Sequence, residues 1–263
     1  MNIAILGGGN LGKAIARGLA QAGFLAKGKI TVTDKYIAQL DELKESGINL
    51  SDDNQKAISH SEIIILAVQP KQLNGLLEEI KSDLNEAKHV VASVVTGVSI
   101  QEIQNQIGDK ISTIRVMPNT AITEGESMTC ISTTENKKGL KDVKSIFDAL
   151  GSTMIIDEKL MQAATVIGAS GIAFFLRYIR ATVQAGVEIG FHPEEAQQIA
   201  IQVAKGAAAL LKGSRVHPES AIDKVTTPMG CTIAGLNEME NHGFSSSVIQ
   251  GIKASYKRIE NIK

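Results

Sequence analysis

The stretch Gly7-Gly8-Gly9-Asn10-Leu11-Gly12 decides the fold, because it lies directly between the apolar run 2–6 and a helical pattern. It fits G-x-G-x-x-G, the spacing of the turn between the first strand and first helix of a dinucleotide-binding domain. There Gly7 permits the tight turn, Gly9 lets the backbone approach a pyrophosphate, and Gly12 lets helix and strand pack. The helix N-terminus adds N–H donors and partial positive charge. A glycine-rich turn without a ligand is the alternative.

An acidic residue lies where such a domain holds the adenosine ribose. Asp34 ends the second predicted strand, about 22 residues beyond Gly12. A carboxylate there can hydrogen-bond the ribose hydroxyls, and it would repel the extra phosphate of NADPH. Asp34 therefore favours NADH, although Lys35 beside it could offset part of the repulsion. A role as a surface turn residue is the alternative.

The N-terminal part of the chain alternates short β-branched runs with helical patterns, which predicts strands connected by crossover helices. The fold class is therefore α/β, with a Rossmann-type parallel sheet in a dinucleotide-binding domain over residues 1–156. The apolar run 62–68 suits a central strand that is buried on both faces. The predicted strands are 2–6, 29–33, 62–68, 89–95, 110–116, 127–132 and 153–156.

After Asp157 no alternating strand pattern remains, and residues 157–263 are predicted to form an all-helical domain. Pro193 and Pro218 lie where a first helical turn accepts proline. The uncharged stretch 160–176 is short for a membrane span and is interpreted as a buried helix. The small residues of these helices suggest that a second copy of the chain covers part of their apolar faces. The predicted helices are 158–167, 171–190, 193–211, 218–224, 232–241 and 245–262.

Composition narrows the function further. The 263 residues carry 27 basic and 28 acidic side chains, so no surplus positive charge favours nucleic acid or an anionic membrane. The two cysteines, Cys130 and Cys231, fit neither a disulfide framework nor a zinc site. The five histidines show no metal-ligand spacing, and the N-terminus lacks the pattern of a signal peptide. We therefore expect a cytoplasmic protein without a metal.

Three segments carry a resemblance to a known family. They are Ile114-Arg115-Val116-Met117-Pro118-Asn119-Thr120, Ala67-Val68-Gln69-Pro70 and Val225-Thr226-Thr227-Pro228-Met229-Gly230-Cys231-Thr232-Ile233. Together they resemble the pyrroline-5-carboxylate reductase family, over nearly the whole chain. The resemblance implies a Rossmann domain followed by a helical substrate-binding and dimerisation domain, a homodimer or ring of dimers, and reduction of 1-pyrroline-5-carboxylate to L-proline with NADPH or NADH.

The resemblance also assigns residues to the cofactor. The segment from Leu6 to Leu11 would line the pyrophosphate, Asp34 would meet the adenosine ribose, and Asn119 would lie beside the nicotinamide. Asn54 would also contact the cofactor. The cofactor-binding residues implied are Leu6, Gly7, Gly8, Gly9, Asn10, Leu11, Gly12, Asp34, Asn54, Ala67, Val68, Gln69, Pro70 and Asn119.

The substrate residues follow from the third segment. Thr232 would be the catalytic residue, donating a hydrogen bond toward the ring nitrogen, although a helix N-cap is its alternative role. Thr227 and backbone N–H groups would hold the substrate carboxylate. Lys224 precedes this segment and could attract the carboxylate, although a solvated lysine at a helix end is its alternative role. The candidate substrate-binding residues are Lys224, Thr227, Met229, Gly230, Cys231 and Thr232.

The chain departs from the family pattern at several positions. Gln69 replaces a lysine, Met229 a glycine, and Ala121 a proline, while the segment 170–174 reads Ser-Gly-Ile-Ala-Phe instead of Ser-Gly-Pro-Ala-Tyr. These changes keep two alternatives open. One is a reductase for another cyclic imine or a β-hydroxyacid, and the other is a non-catalytic nucleotide-binding regulatory protein of the same fold.

Overall fold

The computed structural model describes residues 1–26, 28–213 and 216–259. The chain forms two compact units. The first comprises Met1–Ser170 and the C-terminal segment that starts at Tyr256, and the second is Gly171–Ser255. A domain boundary after residue 156 stays a prediction. The last three residues of the predicted helix 245–262 lie outside the described part of the chain.

The first unit is built on one eight-stranded sheet with the order β3-β2-β1-β4-β5-β6-β7-β8. All neighbouring strands are parallel except β6 and β7. The strands are β1 Ile3–Leu6, β2 Ile30–Thr33, β3 Asn49–Ser51, β4 Ile63–Leu66, β5 Val90–Ser93, β6 Ser112–Met117, β7 Ser127–Thr133 and β8 Gly151–Ile155. This order confirms the Rossmann-type fold class.

Two features of the sheet differ from the sequence prediction. The expectation of a wholly parallel sheet is wrong at β6 and β7, which pair antiparallel. Only a 3₁₀ turn, Thr120–Glu124, and a short connection separate them, too little chain for a parallel crossover. Strand β3 was not predicted, because it has three residues and no buried alternation.

Helices cover both faces of the sheet. The side chains of β1 alternate between two apolar clusters, with Ile3 and Ile5 in one and Ala4 and Leu6 in the other. Helices α1 and α6 bury residues in the first cluster, and α3, α4 and α5 in the second. The helices of this unit are α1 Asn10–Gln21, α2 Asp41–Lys44, α3 Asn54–Ser59, α4 Pro70–Ile80, α5 Ile100–Ile107, α6 Leu140–Asp148 and α7 Met161–Ala164.

The described secondary-structure elements of the second unit are all helices, joined by short turns. Helices α8 and α9 pack through Val183, Ala196 and Ala200, and the ring of Tyr178 lies 6.2 Å from that of Phe244. Pro193 and Pro218 are the first residues of α9 and α10, as the sequence predicts. The helices are α8 Gly171–Glu188, α9 Pro193–Leu211, α10 Pro218–Val225 and α11 Cys231–Asn241, and α12 Phe244–Ile259 crosses into the first unit.

The apolar helical run Glu158–Glu188 has buried residues near its start and is exposed over most of α8. It is long and apolar enough to cross a membrane by length and composition, and 17% of its most apolar window is buried. The interpretation of 160–176 as a buried helix holds only for part of the stretch. Met161, Thr165 and Val166 are buried, whereas Phe175 and Leu176 on α8 are 70% and 59% exposed.

A buried histidine gives the first unit a pH-dependent stability. His89 is 2% exposed, and its Nδ1 accepts a hydrogen bond from the Asn85 N–H. Burial, assisted by the charge of Lys88, lowers the pKa of His89 below its ordinary value of 6.5. Below about pH 6.5 the unfolded chain therefore binds a proton that the folded chain resists, and this reduces the free energy of unfolding.

We expect the free energy of unfolding to fall between pH 7 and pH 5, with a contribution from His89 of at most about 1.4 kcal/mol per pH unit. His89→Asn keeps an acceptor for the Asn85 N–H but cannot titrate, so its unfolding curve should depend less on pH. Urea unfolding at several pH values measures the difference, and replacement of the exposed His60 by Asn is the control. Equal pH slopes for wild type and His89→Asn would contradict the assignment.

Candidate active site

The carboxyl ends of β1, β2, β4 and β6 lie at the same edge of the sheet, because these strands are parallel to one another through the central ladder. Ligands of doubly wound sheets bind outside this edge. The residues assigned to the cofactor follow these four strands or, in the case of Asn54, begin the helix after β3. The structure thus brings the predicted cofactor residues to one edge of the first unit.

The glycine turn after β1 is closely packed where the prediction requires it. Gly7 has a φ of +112°, and a Cβ there would lie 2.6 Å from the carbonyl oxygen of Ala67. A Cβ on Gly12 would lie 2.0 Å from the carbonyl oxygen of Gly7. Side chains at either position would therefore displace the backbone of the turn or of α1.

The start of α1 has the features of an anion site. Gly9 is the N-cap and provides no side chain to satisfy the first N–H groups of this helix of 12 residues. A Cβ on Gly9 would meet no atom within 4 Å, so the space beside this residue is open. Both observations fit a pyrophosphate held by α1.

Asp34 connects the end of β2 to the glycine turn. Its Oδ2 accepts a hydrogen bond from the Gly8 N–H at 3.0 Å, and its Oδ1 accepts one from the Tyr36 N–H at 2.9 Å. The carboxylate is half-buried beside the turn. Asp34 therefore braces the glycine turn in addition to the ribose contact that the sequence predicts.

The side chain of Asn54 is held beside the end of β2 by two other side chains. Its Oδ1 accepts a hydrogen bond from the Thr33 hydroxyl at 2.5 Å, and its Nδ2 donates to Glu79 Oε1 at 3.0 Å. It is the first residue of α3, whose N-cap Asp53 accepts from the Lys56 N–H. This support fixes Asn54 beside the carboxyl end of β2, and its contact with a cofactor stays a prediction.

The segment after β4 turns directly into α4. The Ala67 N–H donates to the carbonyl of Leu6, which ties this segment to β1. Gln69 is the N-cap of α4, and its backbone N–H donates to Gln72 Oε1 at 3.1 Å. Pro70 is the first helical residue. Gln69 therefore caps the start of α4, and its side chain is exposed.

Asn119 follows β6 and is 6% exposed. Its Oδ1 accepts from the Ala121 N–H at 3.0 Å, and its Nδ2 donates to the Gly168 carbonyl at 2.8 Å. The residue lies just beyond the carboxyl end of β6, and its place beside a nicotinamide stays a prediction. The contact with Gly168 could not be predicted from residue types, because the acceptor is a backbone carbonyl far along the chain.

The residues assigned to the substrate lie in the second unit, around the connection between α10 and α11. Lys224 is exposed in the last turn of α10. Residues 227–230 form a turn closed by the Gly230 N–H, which donates to the Thr227 carbonyl at 2.9 Å. Pro228 takes the second position of this turn, where its fixed φ is favourable.

Met229 is strained within that turn. Its φ of +60° places it in the left-handed region, and it is the only such residue other than glycine among those described. Its side chain is also fully exposed. Where the family pattern has glycine at this position, the backbone conformation is free of this strain.

Helix α11 begins at Cys231, with Gly230 as the N-cap. The alternative role of Thr232 as the N-cap is therefore wrong, because Thr232 is the second helical residue. Its hydroxyl is exposed and has no hydrogen-bond partner among the described residues. Cys231 is exposed at the helix start, whereas Cys130 is buried on β7, where burial raises the pKa of its thiol. The loop thus presents a free hydroxyl beside uncapped N–H groups.

Fold and site together define a dinucleotide-binding oxidoreductase with a helical second part. Residues 158–262 match the family model for pyrroline-5-carboxylate reductase dimerisation, and residues 2–97 match that for NADP oxidoreductase, coenzyme F420-dependent. Pyrroline-5-carboxylate reductase from Synechocystis is 36% identical, with 100% of this chain and 98% of that protein covered. The chain belongs to the pyrroline-5-carboxylate reductase family. This confirms the family and the prediction of an NAD(P)-dependent oxidoreductase.

Two further relatives belong to the same family. Pyrroline-5-carboxylate reductase 1 from Dictyostelium discoideum is 45% identical over 96% of this chain, which spans 48% of that protein's length. The structure of the Plasmodium falciparum pyrroline carboxylate reductase with NADP bound matches with a TM-score of 0.87 at 26% identity, covering 99% of this chain and 97% of that one. The dimerisation match supports oligomerisation, and the NADP-bound relative supports a nicotinamide cofactor.

Proposed function

We propose that the protein reduces 1-pyrroline-5-carboxylate to L-proline, prefers NADH to NADPH, and acts as a homodimer or ring of dimers. The observation that carries the substrate assignment is the start of α11, where Gly230 leaves the first N–H groups uncapped next to the free hydroxyl of Thr232. A carboxylate and an imine nitrogen in one small ring match these two features.

The first unit holds the cofactor in this proposal. The N–H groups at the start of α1 bind the pyrophosphate, while Asp34 and Asn54 face the adenosine ribose. When bound, the reduced nicotinamide supplies the hydride that adds to the carbon of the C=N bond. The remaining predicted contacts, at Ala67, Val68, Gln69 and Pro70, belong to the same edge of the sheet.

The second unit holds the substrate. Backbone N–H groups of Gly230, Cys231 and Thr232 bind the carboxylate, which Lys224 attracts and Thr227 helps to hold. The Thr232 hydroxyl can donate to an imine nitrogen and accept from a protonated one, so it orients the nitrogen in both states. A protonated imine is already electrophilic, and orientation therefore provides most of the rate enhancement.

The preference for NADH rests on Asp34. Its carboxylate is fixed beside the glycine turn by the N–H groups of Gly8 and Tyr36, so it cannot turn away without losing both hydrogen bonds. A phosphate on the 2′-oxygen of the ribose would meet this fixed negative charge. The like charges reduce the affinity for NADPH more than for NADH.

The homodimer rests on the exposed apolar side chains of the helical run and of the second unit. Patches of this kind mark association surfaces. A second copy of the chain would remove them from water and is consistent with the match to a dimerisation model. The cytoplasmic location stays a prediction. The large exposed side chains include Ile167, Phe175, Leu176, Val187, Ile189, Ile201, Val203 and Leu210.

The deciding experiment mixes the purified full chain with 1-pyrroline-5-carboxylate and NADH or NADPH. We expect oxidation of the cofactor with equimolar formation of L-proline, a higher kcat/KM with NADH, and a dimer or larger assembly by light scattering. Another cyclic imine, and a β-hydroxyacid with oxidised cofactor, are the comparison substrates. Faster turnover of either would replace the substrate assignment, and cofactor binding without any turnover would favour a regulatory protein.

A further inference from the structure

The helical run before α8 contains a wide turn. Residues Thr165–Ser170 form a π-helix between α7 and α8. The segment packs against β6 and β7, and its residues Thr165 and Val166 are 7% and 1% exposed. Single π-helical turns are rare and occur frequently at functional sites. Its position at the end of β6 places it beside the edge where the cofactor is proposed to bind.

One side chain joins this π-helical segment to the sheet. The amide of Asn119 donates from Nδ2 to the Gly168 carbonyl at 2.8 Å, and its Oδ1 accepts from the Ala121 N–H at 3.0 Å. The two contacts require opposite ends of the amide, because one partner is an acceptor and the other a donor. The orientation of the amide is therefore determined by its partners.

The backbone of Asn119 is fixed as well. Its N–H donates to the Ser127 hydroxyl at 3.1 Å, and that hydroxyl lies 3.1 Å from the Thr129 hydroxyl. Ser127 and Thr129 are fully buried on β7. The Asn119 backbone is bonded to β7 and its amide is bonded to Gly168. Asn119 therefore forms a rigid connection between the sheet and the π-helical segment.

We propose that Asn119 is a positioning residue, which serves the reaction by holding the π-helical segment against the cofactor edge and not by hydrogen-bonding the nicotinamide through its amide. The segment ends at Ser170, so the contact at Gly168 lies in its last turn. This inference deepens the proposed function and rests on it for its kinetic consequence.

Asn119→Asp tests the proposal. The aspartate still offers an oxygen to the Ala121 N–H, but its second oxygen faces the Gly168 carbonyl and repels it. We expect faster hydrogen–deuterium exchange in a peptide spanning residues 165–174, at least a fivefold loss of kcat, and a dissociation constant for NADH within twofold of wild type. Asn119→Ser is a second variant that introduces no charge, and its side chain is too short to reach the Gly168 carbonyl.

Ser61→Ala is the matched control, because it also deletes a buried hydrogen bond from a side chain to a backbone carbonyl. The Ser61 hydroxyl donates to the Ala57 carbonyl at 2.9 Å, and it lies just before β4, away from the π-helical segment. It should leave exchange at 165–174 and the kinetic constants near those of wild type. A tenfold weaker affinity for NADH with unchanged exchange would overturn the proposal, as would faster exchange without any loss of kcat. If the wild type itself shows no turnover, hydrogen–deuterium exchange and NADH affinity still decide whether Asn119 is a positioning residue or a cofactor ligand.

Discussion

Replacing Asp34 by Ser should raise the ratio of kcat/KM for NADPH to that for NADH by at least about tenfold, which corresponds to about 1.4 kcal/mol. The carboxylate is held at the end of β2 by the N–H groups of Gly8 and Tyr36, so its charge has a fixed position beside the ribose site. Juxtaposed like charges cost up to several kcal/mol, and serine removes that repulsion.

The same change should lower the absolute affinity for both cofactors. Serine is shorter than aspartate and cannot accept from both N–H groups, so the glycine turn loses part of its support. For this reason the ratio, and not either affinity alone, measures the charge effect. Steady-state kinetics with both cofactors, together with their dissociation constants, separate the two contributions.

Asp34→Asn is the matched control for this prediction. It removes the charge but keeps the size of the side chain and one acceptor oxygen, so it should shift the ratio in the same direction and weaken binding less. If neither variant changes the ratio, Asp34 does not face the ribose, and its function is limited to bracing the turn.

Much of the cofactor edge could be predicted because its determinants are local. The spacing of Gly7, Gly9 and Gly12 after an apolar run fixes a strand, a tight turn and a helix within 12 residues. The same holds for Asp34, whose place follows from the end of β2. Hydrophobic periodicity likewise predicted the main strands and helices to within a few residues.

The features that were missed depend on contacts between distant segments. The support of Asn119 by Gly168 joins positions 49 residues apart and uses a backbone carbonyl, which leaves no mark on residue type. The brace from Asp34 to Gly8 uses a backbone N–H in the same way. The exposure of α8 could not be predicted, because composition identifies an apolar surface but not what covers it.

Replacing Thr232 by Ala should lower kcat/KM for 1-pyrroline-5-carboxylate by about 10- to 100-fold. A hydrogen bond to a charged group contributes about 1.5–3 kcal/mol, and the hydroxyl would contact the imine nitrogen as it becomes protonated. The side chain is exposed at the second position of α11 and has no partner among the described residues, so its removal should leave the melting temperature nearly unchanged.

Thr226 provides the control within the same connection. Its hydroxyl donates to the Asp223 carbonyl at 3.0 Å at the end of α10, so Thr226→Val should reduce stability while changing kcat/KM by less than about twofold. Thr232→Ser should restore most of the activity lost in Thr232→Ala, because it keeps the hydroxyl. Equal activity of Thr232→Ala and wild type would remove Thr232 from the substrate site, and the N–H groups of α11 would then be the remaining determinant of substrate orientation.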